Sequence, residues 1–138
     1  MDYKKYPNRT LRHILSFPFI WGMLIPLALF DICLEIYHQI CFRLYGLSRV
    51  KRRNYIKIDR HKLKYLAWYE KINCAYCGYA NGLVNYAVVI AARTEQYWCG
   101  IKHEKDPNFI PPAHHKDFLE YGDEKGYRNI NHSKDNCK

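Results

Sequence analysis

From Ile14 to Phe30 the chain reads ILSFPFIWGMLIPLALF, a run of 17 positions without a charged residue. A membrane-spanning helix needs about 20 predominantly apolar residues, a length reached only if the run continues into Asp31–Phe42, DICLEIYHQICF. The pattern therefore predicts a membrane segment over residues 14–45. Pro18 and Pro26 each remove a backbone donor and give it a kinked or re-entrant form. The competing expectation for the same run is the core helix of a soluble protein. No small-x-small cleavage site follows the run, so it is expected to stay attached.

Further on, apolar positions at helical spacing predict a short helix over Leu63–Ile72, and Gly78 and Gly82 predict a turn. The best helix of the polar part is expected at Leu83–Trp98, ending at Gly100. A short strand is expected around Tyr55–Ile58. Pro107, Pro111 and Pro112 mark a linker, and a helical piece follows from His114 to Tyr121. The expected organisation is a basic flank at 1–13, the membrane segment at 14–45, a basic juxtamembrane segment at 46–64, a small metal-binding helical domain at 65–123 and a flexible tail at 124–138. The fold class is mainly α.

Charge sharpens the picture. The chain carries 22 Lys plus Arg against 13 Asp plus Glu, a net +9, and the excess lies entirely before Glu104. Arg49, Lys51, Arg52, Arg53, Lys57 and Arg60 follow the apolar run and are suited to anionic headgroups or phosphates. Because the larger basic cluster follows the segment, a single span would leave the C-terminal part in the cytoplasm. An apolar content of 49% excludes a wholly disordered chain, and 138 residues exclude a large multidomain enzyme.

Two groups of residues carry candidate chemistry. The first is Cys74-Ala-Tyr-Cys77-Gly78, with Cys99-Gly-Ile-Lys-His103 beyond it. Two cysteines two residues apart can approach one ion from a single turn, and Cys99 and His103 would complete a tetrahedral shell. The expectation is a structural zinc closing the domain, in a zinc-knuckle-like CxxC…CxxxH site with His114, His115 or His132 as substitutes for His103. The six cysteines are too unevenly spaced for a disulfide framework.

The second group is Asp31, Glu35 and His38, at helical spacing on one face, with Ile32, Ile36 and Ile40 on another. Glu35-Ile-Tyr-His38 is an ExxH pattern, which holds iron in ferritin-like bundles when further carboxylates are supplied; Glu95 and Glu120 are the candidate partners. The plainer expectation is a polar contact where the helix leaves the bilayer, with Asp31 and Glu35 pairing Arg43 or Arg93.

The strings Lys71–Gly82, KINCAYCGYANG, and Tyr97–His103, YWCGIKH, resemble a group of short uncharacterised bacterial membrane-associated proteins with CxxCG and WCxxKH strings. The resemblance covers Leu15 to Asp123. It implies a bacterial membrane setting and transfers no catalytic residue. The leading expectation is thus a membrane-attached, zinc-binding accessory protein that presents a surface to another protein. The alternatives are a membrane metalloenzyme with iron at Glu35, His38 and Glu95, and a basic zinc-stabilised nucleic-acid-binding protein.

Overall fold

The computed structural model describes residues 8–135. Its first helices show what proline does to an apolar rod. Pro26 has no N–H for the Gly22 carbonyl and its ring crowds that oxygen, so α1 (Arg9–Gly22) gives way to α2 (Leu24–Leu44) at Met23. The Met23 and Leu27 amides still donate to Phe19 and Met23 carbonyls, at 3.2 and 3.1 Å. The chain therefore kinks without reversing, and the kinked of the two expected forms is adopted. α2 ends at Gly46, whose φ of +68° suits glycine, and the Leu47 amide closes back on the Phe42 carbonyl at 2.9 Å.

From Leu11 to Leu44 the rod has a mean hydropathy of 2.0 in its most apolar 18-residue window, and none of that window is buried. Ile32, Ile36 and Ile40 all face outward, each more than half exposed. This is one long apolar helix, long enough to cross a bilayer. A core helix of a soluble chain is mostly buried, whereas the most apolar window of this one is not; burial begins further along, at His38 and Phe42.

α3 (Trp68–Trp98) is a single 31-residue helix. Its start is capped by Glu70, whose Oε2 accepts the Ala67 amide at 2.9 Å. Tyr76, Tyr79, Leu83 and Tyr86 recur at spacings of three and four and turn one stripe towards the first rod. Trp21 meets Tyr76 with ring centroids 5.6 Å apart, Tyr79 bonds Asp31, and Tyr86 bonds Glu35. The pairs rise together in sequence, so α2 and the first part of α3 run in the same direction. The crossover between them supplies the return. It includes a 3-10 turn at Arg52–Asn54 and passes directly over Gly78 and Gly82, where a Cβ would sit 2.9 Å from the Lys57 carbonyl oxygen and 2.7 Å from that of Tyr55.

The chain forms two compact units that divide between Ala87 and Val88, inside α3, whereas the sequence placed the boundary at the end of the basic segment. The core of the first unit is Phe42, Val50, Leu83 and Tyr86. In the second, Gly100 (φ +62°) ends α3 as expected. The Lys102 amide then bonds the Leu119 carbonyl at 2.8 Å and the Leu119 amide the Gly100 carbonyl at 2.9 Å, so a parallel bridge between Ile101 and Leu119 closes the intervening loop. Ile90, Phe118 and His115 are buried in this unit.

Several local expectations are corrected. No strand forms at Tyr55–Ile58, or anywhere among the described residues, because this stretch rests on the glycine face of α3 and has no strand beside it. The short helix at Leu63–Ile72 begins only at Trp68, and Gly78 and Gly82 are helical, kept for the close approach of the crossover and not for a turn. The His114–Tyr121 piece is a 3-10 turn at Ala113–Asp117. The tail expected to be unstructured from 124 contains α4 (Glu124–Asp135), nucleated by Asp123, whose Oδ1 accepts the Gly126 amide at 2.9 Å. Lys4, Lys5 and Cys137 lie outside the described residues, as does the side chain of His132.

Because a Cβ at Gly82 would also meet Ile56 Cα at 2.8 Å, both neighbours being backbone, Gly82→Ala should lower the unfolding free energy by about 1–3 kcal/mol. Gly22→Ala, with nothing within 4 Å, should leave it unchanged or slightly raised. Denaturant titration of both variants in detergent micelles checks the contrast.

Candidate metal centre

The polar face of α2 is satisfied within the first unit. His38, 1% exposed, accepts the Val50 amide on Nε2 at 3.0 Å, which leaves the proton on Nδ1. Nδ1 lies 2.9 Å from the Tyr86 hydroxyl, and that hydroxyl donates to Glu35 Oε2 at 3.0 Å. Gln39 donates to the other Glu35 oxygen at 2.6 Å and accepts Arg49 at 2.9 Å. Asp31 pairs with Arg52 and accepts the Tyr79 hydroxyl at 2.9 Å. The expected polar contact exists, and Arg52 is the cation that pairs with Asp31.

His38 is thus engaged by Val50 and Tyr86, and Glu35 by Tyr86 and Gln39, all within the first unit, whereas Glu95 belongs to the second. Arg49 and Arg52, expected at lipid or phosphate, bond Gln39 and Asp31 of α2 while remaining exposed, and Lys57 pairs with Asp59 at 3.3 Å. Lys51, Arg53 and Arg60 are exposed.

The cysteine knuckle is overturned by helical winding. Cys74 and Cys77 lie inside α3 and Cys99 follows its last residue. Some twenty residues between Cys77 and Cys99 each rise about 1.5 Å along the helix, where a knuckle requires a loop that returns. Cys77 and Cys99 are exposed free thiols, and Cys74 is a half-buried one.

His103 belongs to a different set. One donor atom from each of Glu95, His103 and His115 lies within 4.8 Å of the others. Glu95 is on the last turn of α3. His103 stands just inside the closed loop, and His115 near its far end. The Pro112 carbonyl accepts the His115 amide at 3.0 Å, and Phe118 stacks on the His115 ring at 5.0 Å, which fixes that imidazole. A turn at Asp106–Phe109 brings Phe109 edge-on to His103, with centroids 5.2 Å apart.

Glu95 binds both neighbouring imidazoles: His114 Nε2 is 2.7 Å from Oε2 and His115 Nε2 is 3.0 Å from Oε1. Hydrogen bonding from His114 first, and from His115 after it, holds the Glu95 carboxyl below the ordinary carboxylate range and keeps it anionic. Across the loop base, Lys102 pairs with Glu120 and holds that carboxyl low as well.

His115 is 3% exposed, and its Nδ1 has no hydrogen-bond partner. His115 presents Nε2 to Glu95 Oε1, so Nε2 is the donor it can offer to an ion shared with that carboxylate, the ion taking the place of the proton between them. Two imidazoles and one carboxylate suit zinc or ferrous iron. Zinc bonds near 2.0–2.1 Å would place tetrahedral donors about 3.3 Å apart, so the three residues need only a modest contraction. In the sequence, the signal for this set is the His114–His115 pair after Pro111 and Pro112. No family model, curated protein or solved structure matches the chain.

Tyr86 is the only described hydroxyl joining His38 to Glu35, and Tyr86→Phe strands the buried His38 Nδ1–H. The variant should lose about 1–3 kcal/mol of stability. The effect should exceed that of Tyr79→Phe, whose partner Asp31 keeps Arg52. Unfolding midpoints of the two variants in the same detergent test this order.

Proposed function

We propose that this chain is a membrane-attached accessory protein in which the α1–α2 rod lies in lipid and the second unit binds one divalent transition metal, zinc in the first instance, through Glu95, His103 and His115. The convergence of one donor atom from each of these three residues, within 4.8 Å of one another, carries the reading. Physical need supports it too: a unit of some fifty residues, built around Ile90, Phe118 and His115, has a small core, and an ion tying the end of α3 to both ends of the loop adds stability that burial alone would not supply.

The membrane part of the reading rests on the uncovered apolar surface of α1 and α2 and on the basic residues that follow. Lys51, Arg53 and Arg60 would lie at anionic headgroups, with the C-terminal part in the cytoplasm of a bacterial cell. The role is interaction with another protein, without a catalytic step. Nucleic-acid binding is less well supported, since Arg49 and Arg52 are spent on α2. A metalloenzyme is the second reading, and the observation that favours it is the donor set itself: two imidazoles and one carboxylate leave a metal position open.

Protein purified from membranes and analysed for metals should contain one zinc per chain. Glu95→Ala and His115→Ala should each weaken zinc at least tenfold, and the triple Cys74→Ser, Cys77→Ser, Cys99→Ser variant should retain it. Loss of zinc only in the cysteine variant would reverse the assignment.

A further inference from the structure

The loop that carries the histidines encloses more than a metal. His103 and His115 stand in the wall of a cleft of about 830 Å³, within the range of about 300–1,000 Å³ typical of small-molecule sites. The rest of the wall is mainly apolar: Pro107, Phe109, Pro111 and Pro112 contribute rings and no hydrogen-bond donors. Three protein donors leave at least one coordination position of a tetrahedral ion open, and His114 is committed to Glu95 Oε2.

Resting on the metal reading above, we infer that the open position takes the carboxylate of a monoanion whose apolar body lies in this cleft. Charge decides between anions. Among the cleft residues, Lys102 is neutralised by Glu120, and Lys105 and Lys116 are balanced by Glu104 and Asp106. A divalent ion with the Glu95 carboxylate leaves one positive charge, which a monoanion cancels and a dianion overshoots. A carboxylate oxygen is also an accepted zinc donor. The proline and phenylalanine walls then favour acids with an apolar group over acetate, because contact with them removes apolar surface from water.

The test uses the full chain in detergent, loaded with cobalt(II) in place of zinc, whose visible absorption reports the coordination shell. Benzoate and octanoate should each change the cobalt bands and bind at least tenfold more tightly than acetate, about 1.4 kcal/mol. Inorganic phosphate should bind more weakly than either. Tighter binding of octanoate would identify a lipid-derived acid, and tighter binding of benzoate a soluble aromatic acid. Phe109→Ala should keep the cobalt bands and narrow the preference over acetate. Cobalt bands that ignore both acids, equal affinity for acetate and the apolar acids, or a preference for phosphate would overturn the inference while leaving the metal site standing. Failure of the wild-type chain to bind cobalt at all would remove the metal reading and this inference with it.

Discussion

Everything in this chain is arranged around the uninterrupted winding of α3. A helix that continues from Trp68 to Trp98 places its side chains by pitch alone. Cys74 and Cys77 become points along a rod, and Glu95 arrives at its last turn just before Gly100 permits the chain to leave. Two glycines inside a helix cost about 1 kcal/mol each relative to alanine. At Gly78 and Gly82 that cost is offset by backbone contact with Tyr55–Lys57. The winding thus makes possible both the packing of the crossover and the position of the Glu95 carboxylate.

The same helix settles the polar face of α2. Charged and polar groups on an otherwise apolar helix are costly in lipid unless paired, and here the pairing is complete in outline: a main-chain amide on one nitrogen of His38, a tyrosine hydroxyl at the other, and a glutamate that accepts from tyrosine and glutamine. The buried histidine serves as a bracket that ties the crossover at Val50 to the rod. Its neighbours Ile32, Ile36 and Ile40 are left facing outward.

Much of this was legible in the residues. The uncharged run, the kink from Pro26, the separate polar and isoleucine faces of α2 and the glycine stop at Gly100 all follow from local rules that no tertiary contact overrides, whereas Pro18 lies inside α1 without ending it. Gly78 and Gly82 were misread because a glycine that ends a helix and a glycine that lets another segment touch it look alike in sequence; the unbroken spacing from Tyr76 through Tyr86 was the available clue. The group proposed to hold the metal was only half legible. Glu95, His103 and His115 were each in view, but a CxxC pair suggests a knuckle only where the backbone turns, and here it does not. The grouping depends on the Ile101–Leu119 bridge, a single non-local contact without a pattern of its own.

The nature of the metal's donor atoms is therefore the point on which the account stands. X-ray absorption at the zinc edge, on full-length protein purified in detergent, should show only nitrogen and oxygen neighbours at about 2.0–2.1 Å, with the outer-shell scattering of two or three imidazoles. A sulfur shell near 2.3 Å would return the ion to the cysteines and contradict the structure proposed for the site.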